Sequence, residues 1–157
     1  MVKKVNVRNE FISVPIKDLE CASDLVRAAA IRYRKLTNRD LNITGELGEI
    51  LVCTNRKIKT KKLKLVASQI SPGYHAVDKN GKTYQIKSRL GQPGPGTKLS
   101  KFSKHHFDFA ILLILRKSDY RIEELWEASW SDLSPVLNTF RDNKIRIGEF
   151  KRVARKL

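Results

Sequence analysis

The spacing of apolar residues changes after the second predicted helix, from a helical period to an alternating one. Residues 16–36 place apolar side chains at helical spacing, as at Ala22 and Val26, and this predicts an amphipathic helix. A second helix is predicted from near Thr44, a residue suited to cap it, to about Asn55. Two helices therefore precede the alternating part of the chain.

After the second helix the period falls to two. Residues 62–67, 73–78 and 83–88 are predicted as three short strands, and Lys79-Asn-Gly-Lys82 between the last two is a strong hairpin signal. The remaining predicted elements are a short helical turn at 99–106, strands at 108–115 and 121–128, a helix at 132–140, and a strand at 144–147 before a basic helical tail. This order is typical of one α/β (α+β) domain over residues 1–157, with the N-terminal helix packed on a core of residues 41–157.

The charge indicates the kind of partner. The 157 residues include 32 Lys and Arg against 16 Asp and Glu, a formal charge of +16. A compact body with this charge repels itself unless an anion is bound, so nucleic acid is the expected partner. We expect no membrane partner and a cytoplasmic location, because the longest apolar run, residues 109–115, is too short for a membrane span and no signal peptide is evident. Cys21 and Cys53 are expected to be buried, reduced thiols.

The basic residues cluster in three segments of the sequence. Residues 56–65 hold six of them and are predicted to end as a basic strand, a second cluster follows the glycine and proline residues of 91–96, and a third closes the chain. Phosphate contacts from such clusters supply affinity without sequence specificity. The residues expected to contact nucleic acid are Arg56, Lys57, Lys59, Lys61, Lys62, Lys64, Arg89, Lys98, Lys101 and Lys104.

Polar residues interrupt the predicted strand at 83–88. Gln85 and Lys87 are two positions apart and therefore share one face of that strand. Glu46 and Glu49 lie on adjoining parts of one face of the second helix. A carboxylate, an amide oxygen and a lysine that converge at the end of a meander suit a Mg²⁺ site for phosphodiester hydrolysis, in which Lys87 would orient the attacking water.

The hairpin turn decides which residue joins Gln85 in this site. If Asn80-Gly81 forms a two-residue turn, Asp78 shares the face of Gln85 and makes a suitable Mg²⁺ centre. If residues 79–81 form a type I turn with a glycine bulge, Asp78 opens the turn and His75 faces Gln85. The second register gives a poorer Mg²⁺ site, suited to a softer ion or to none.

Four segments of the chain resemble one nuclease superfamily. They are Thr44-Gly-Glu-Leu-Gly-Glu49, Gly73-Tyr-His-Ala-Val-Asp78, Gln85-Ile-Lys-Ser-Arg89 and Phe107-Asp-Phe-Ala-Ile-Leu-Leu113. Over residues 28–157 the sequence resembles the PD-(D/E)XK superfamily of restriction-endonuclease-like nucleases, and within it a small bacterial group with a Gln-x-Lys motif. The resemblance implies a core of a helix, an antiparallel three-strand meander, a second helix and a further strand in a mixed sheet flanked by helices.

The resemblance also implies a site and an activity. The implied catalytic residues are Glu49, Asp78, Gln85 and Lys87, with Glu46 and His75 as further candidates, and the implied ligands of Mg²⁺ or Mn²⁺ are Asp78, Gln85 and Glu49. Gln85 stands where Glu or Asp is commonest, and His75 stands where related sequences carry Asp. We therefore expect a metal-dependent DNA endonuclease that cuts double-stranded DNA as a homodimer. The alternative is a catalytically inactive nucleic-acid-binding protein that retains the nuclease fold; a basic RNA-associated protein would rest on charge alone.

Overall fold

The structure is a computed structural model that describes residues 11–12, 14–59, 61–67 and 73–157, with only the backbone of Lys59. The helices of this part are α1 (Ile16–Thr37), α2 (Thr44–Thr54), α3 (Arg56–Lys59), α4 (Trp130–Leu137) and α5 (Ile147–Val153). The strands are β1 (Lys64–Leu65), β2 (Ala76–Val77), β3 (Thr83–Leu90), β4 (Phe109–Leu115), β5 (Ile122–Ser129) and β6 (Arg155–Lys156). None of the described helices has the length and apolar character that crossing a bilayer requires.

The six strands form one mixed sheet in the order of the chain, from β1 to β6. Neighbouring strands are antiparallel, except that β3 and β4 run parallel to each other. A parallel pair needs a crossover connection, and residues 91–108 supply it. The predicted α/β (α+β) class is confirmed.

The two faces of the sheet are covered by different elements. The first face carries Tyr84 and Ile86 of β3 and packs against α1 and α2. The second face carries Ala110 and Leu112 of β4 and packs against α4, α5 and the segment around Phe102. Gln85 and Lys87 are paired with Ala110 and Leu112, so they lie on the second face.

The first half of the chain follows the prediction closely. The two helices at 16–36 and 44–55 and the three-strand meander are confirmed, although β1 and β2 are only two residues long each. Thr44 is not the cap of α2: the cap position is Ile43, which makes no side-chain capping bond, and Thr44 is already helical. Cys53 is buried as expected, whereas the expected burial of Cys21 is wrong because it lies on an exposed part of α1.

The start of the basic segment is helical and not extended. The side chain of Asn55 accepts a hydrogen bond from the backbone N–H of Lys57 at 2.9 Å, and this is the capping bond that starts a helix. Residues 56–59 therefore form α3, and the predicted basic strand is reduced to β1.

The predicted short helix at 99–106 is wrong. Its backbone donors bond across to a distant segment: the N–H of Leu99 donates to Ile145 O at 2.8 Å, and that of Phe102 to Asn143 O at 2.9 Å. These long-range bonds replace the bonds within a helical turn. The predicted strand at 144–147 is reduced to one bridge between Lys98 and Arg146, and the tail after it forms α5 and then β6.

The contact between α2 and β3 leaves no room for a side chain at Gly48. A Cβ atom built there overlaps Ser88 Oγ and lies 2.8 Å from Ser88 Cβ. We predict that Gly48→Ala lowers the free energy of unfolding by about 1–3 kcal/mol, measured by urea denaturation. Gly45→Ala is the matched control, because a Cβ at Gly45 meets nothing within 4 Å and should keep or raise stability. Equal stability of the two variants would contradict the close packing of α2 on β3.

Candidate functional site

The site lies where β3 continues beyond its partner strand. β2 pairs with β3 only through Ala76 with Tyr84 and Val77 with Thr83, whereas β3 runs on to Leu90. At the end of the paired stretch, the backbone N–H of Ile86 donates to His75 Nδ1 at 3.0 Å. At this point the His75 side chain, and not the backbone of a neighbouring strand, accepts the hydrogen bond from β3.

The hairpin adopts the second of the two predicted registers. The N–H of Asp78 donates to Lys82 O at 2.9 Å and the N–H of Gly81 donates to Asp78 O at 3.0 Å, so the loop comprises residues 79–81. Gly81 has a φ of 79°, a left-handed conformation that glycine adopts without a steric penalty. In this register His75, and not Asp78, comes to the face of Gln85.

Asp78 is used to close the turn. Its Oδ1 accepts hydrogen bonds from the backbone N–H groups of Asn80 and Lys82, at 2.8 and 2.9 Å. The Tyr84 hydroxyl donates to Oδ2 at 3.3 Å. The structure therefore does not bring Asp78 to Gln85 and Lys87, and the register that would make it a metal ligand beside them is not formed.

An open cleft of about 430 Å³ lies over Gln85 and Lys87 on the second face of the sheet. We call it the Lys87 cleft. Its lining residues are Gly73, Tyr74, His75, Gln85, Lys87, Lys101, Phe102, Ser103, Lys104 and His105. Among the residues that the structure describes, the titratable ones of this lining are lysines, histidines and one tyrosine, and none is a carboxylate.

Lys87 is held firmly although it is charged and buried. Its side chain is buried, its Nζ donates to the backbone oxygen of Lys101 at 2.7 Å, and it lies 5.0 Å from the centre of the Phe102 ring. Burial and, second, the charge of Arg89 lower the pKa of Lys87 to about 8. An ammonium group has three N–H donors, so this fixed amine can also donate to an anion in the cleft.

Gln85 joins two walls of the cleft. Its Oε1 accepts from the backbone N–H of Ser103 and its Nε2 donates to Gly73 O, both at 3.3 Å. Gly73 has a left-handed φ of 100°, and a Cβ there would lie 2.9 Å from His105 Cβ, so the walls meet only because this residue is glycine. Both the Oε1 and the Nε2 atoms of Gln85 are thus engaged in hydrogen bonds that connect the walls of the cleft.

His75 is neutral and carries its proton on Nε2. Burial and the nearby charge of Lys87 lower its pKa to about 4. Because Nδ1 accepts the N–H of Ile86, the neutral ring is the tautomer with Nε2–H. In this tautomer the imidazole offers a hydrogen-bond donor and not a lone pair for a metal ion.

Of the two carboxylates of α2, that of Glu49 lies near His75. Glu49 Oε1 is 3.8 Å from His75 Nδ1, and burial together with the charge of Glu46 raises the pKa of Glu49. Magnesium sites in proteins usually include one or two carboxylates, and the described lining of the Lys87 cleft has none. Within the described ranges, no three His, Cys, Asp or Glu side chains group as metal ligands would. The donor set fits an anion better than a divalent cation.

The structure divides the ten basic residues predicted to contact nucleic acid. Lys101 and Lys104 line the cleft, whereas Lys61 forms an ion pair with the buried carboxylate of Glu127. The side chain of Lys59 lies outside the described residues. The others lie elsewhere or bond to protein groups: Arg56 and Lys57 on α3, Lys62 and Lys64 at the sheet edge, Arg89 bonded to the Lys98 carbonyl, and Lys98 paired with Asp142 at 3.6 Å.

Sequence reasoning missed the wall of the cleft formed by Phe102 and Ser103. The backbone of this wall is extended and therefore faces the site. The segment to which it is hydrogen-bonded, and which keeps it extended, lies some 40 residues further along the chain. Gly73 is the one local signal that could have pointed to the close approach of this wall.

Comparison with protein-family models and with the curated proteins gives no match. The residues that line the cleft therefore carry the functional argument.

We predict that His75 stays neutral down to about pH 4, with its proton on Nε2, in nitrogen NMR spectra of the imidazole. As the pH falls from about 6.5 to about 4, the unfolded chain takes up a proton that the folded protein does not, so stability declines over this window. His75→Asn should remove that part of the pH dependence, because the Asn oxygen can still accept the Ile86 N–H but does not titrate. Titration of His75 near pH 6.5 would contradict this assignment.

Proposed function

We propose that this protein binds nucleic acid and holds the phosphodiester backbone in the Lys87 cleft. The observation that carries the proposal is the lining itself, in which Lys87, Lys101 and Lys104 surround an open space without an opposing carboxylate. The chain as a whole has a formal charge of +16. Both features favour a polyanion.

The cleft residues have distinct uses in this proposal. Lys87 donates to a phosphate oxygen from a fixed position, since its bond to the Lys101 carbonyl and its contact with Phe102 restrict the side chain before binding. His75 donates from Nε2–H. Lys101 and Lys104 are exposed, so they attract the backbone over a longer range and are screened by salt.

The order of the elements supports a nuclease-derived fold for this binding protein. A helix, α2, precedes an antiparallel meander, β1 to β3, and the next strand, β4, lies parallel to β3. This is the order that the resemblance to the PD-(D/E)XK superfamily implies, apart from the second helix of the core. Double-stranded DNA is accordingly the first partner to test.

The second candidate function is a metal-dependent DNA endonuclease of the restriction type. It is favoured by the position of Glu49, whose carboxylate lies next to His75 and beside that of Glu46. Glu49 and Gln85 would be its ligands for Mg²⁺ or Mn²⁺, but Gln85 lines the Lys87 cleft and Glu49 is not among the described residues of that lining. Cutting both strands of a duplex would need two such sites and hence a homodimer.

We predict that Lys87→Ala weakens DNA binding about tenfold, measured by fluorescence anisotropy with labelled oligonucleotides. Affinity of the unaltered protein should also fall as the pH rises through about 8, because Lys87 then loses its charge, and Lys87→Arg should remove that fall. Lys35→Ala is the matched control, since Lys35 is exposed on α1, which covers the opposite face of the sheet. Equal affinity of the Lys87→Ala and Lys35→Ala variants would overturn the proposal.

For the second candidate, we predict binding without cleavage when plasmid DNA is incubated with the protein in Mg²⁺ or in Mn²⁺. The lining of the cleft supplies no carboxylate, so the assay should yield intact plasmid. Cleavage that is lost in both Glu49→Gln and Lys87→Ala would instead establish the endonuclease. Cleavage that both variants retain would indicate a contaminating nuclease.

A further inference from the structure

A second basic groove lies at the β1 edge of the sheet. We call it the Phe11 groove; it has a volume of about 440 Å³ and is lined by Phe11, Lys62, Lys64, Val77, Asp78 and Lys79. This volume is within the range of sites that hold one small ligand or one nucleotide. The groove is separate in its lining from the Lys87 cleft.

The aromatic ring of this groove is exposed on a fixed backbone. Phe11 forms a bridge with Val66, and the N–H of Ile12 donates to Leu65 O at 2.9 Å. Although these bonds tie the segment to β1, the Phe11 residue is 42% exposed. A large aromatic face left in solvent beside lysines is a surface on which a nucleic-acid base can stack.

The lysines of the groove are exposed, and strand alternation directs Lys64 of β1 outward. Lys62 and Lys64 are exposed, whereas Leu63 and Leu65 between and after them are buried. Lys79 adds a third ammonium group from the hairpin loop. Asp78, the one carboxylate among the described residues of the lining, is already bonded to the turn amides and to the Tyr84 hydroxyl, as described above. The groove is therefore positively charged.

The register of the strands places the groove and the cleft on one face of the sheet. Leu65 pairs with Ala76 on the first face, so Lys64 and its partner Val77 lie on the second. In the next row, the N–H of Val66 bonds to His75 O at 2.9 Å, and His75 lines the cleft. Rows two residues apart are separated by roughly 7 Å, about the length of one nucleotide of an extended strand.

We propose that the Phe11 groove binds an unpaired nucleotide of the strand whose backbone enters the Lys87 cleft. Phe11 stacks on the base, and Lys62, Lys64 and Lys79 contact the flanking phosphates. This inference rests on the proposed nucleic-acid binding and specifies its substrate. A base within a duplex offers no free face to Phe11, so the preferred ligand has a single-stranded segment beside or within the bound stretch.

The test measures affinity for three labelled DNAs: a single strand, a duplex with a single-stranded overhang, and a blunt duplex. The protein should bind the first two more tightly than the blunt duplex. Phe11→Leu keeps an apolar side chain but removes the aromatic face, and it should weaken binding to the first two between about fivefold and 100-fold while leaving blunt-duplex binding unchanged. Phe11→Trp should keep the preference. Leu36→Ala is the matched control, because Leu36 is 70% exposed on α1.

A second measurement separates charge from stacking. Replacing Lys62, Lys64 and Lys79 together by Gln should reduce the salt dependence of single-strand binding, with the slope of log affinity against log salt falling by about 2. Photocrosslinking of an oligonucleotide that contains iododeoxyuridine should label Phe11, and this readout does not depend on a variant that folds.

The outcomes distinguish the groove from the cleft. If Phe11→Leu behaves like Leu36→Ala and no crosslink forms at Phe11, the groove inference is overturned even if Lys87→Ala weakens binding. If the groove variants weaken binding and Lys87→Ala does not, the groove binds an unpaired nucleotide but the strand does not continue into the cleft, and the proposed use of the cleft fails. Absence of binding to all three DNAs would overturn both.

Discussion

The three-residue loop between β2 and β3 determines what the site can contain. The loop closes with Asp78 opposite Lys82, and the left-handed backbone of Gly81 makes this closure possible. A loop one residue shorter would turn every side chain of β2 to the other face of the sheet. In the register that forms, the Asp78 carboxylate is bonded to turn amides, and a neutral imidazole, that of His75, lies beside Lys87.

Two buried charged side chains of the sheet, Glu127 and Lys87, differ in their partners. Lys61 and Arg155 reach the buried carboxylate of Glu127 in the interior, where a lone charge would be costly. Lys87 is buried with no carboxylate partner within the described part of the chain, and its pKa falls accordingly. Burial disfavours the charged form of such a lysine, whereas an anion bound nearby favours it. The site is therefore expected to bind an anionic ligand. The cleft and its basic surroundings are therefore physically suited to phosphate.

Local patterns predicted much of the fold and part of the site. The two helices could be predicted because their apolar residues keep a helical period, and the hairpin because Asn80-Gly81 marks it. The register could only be narrowed to two alternatives, since both satisfy the same local pattern. The segment at 99–106 was mispredicted because its hydrogen-bond partners lie at 143–145, a pairing that no local pattern encodes. Gln85, Lys87 and His75 do come together, whereas Asp78 does not.

The central claim is that the Lys87 cleft on the second face of the sheet receives the phosphodiester backbone. Chemical-shift mapping of the backbone amides during titration with a short DNA duplex tests it most directly. The account predicts that the amides of residues 85–87 and 101–105 shift together in proportion to bound DNA, while those of α1 do not. Shifts confined to α1 or α3, with the cleft residues unchanged, would contradict it.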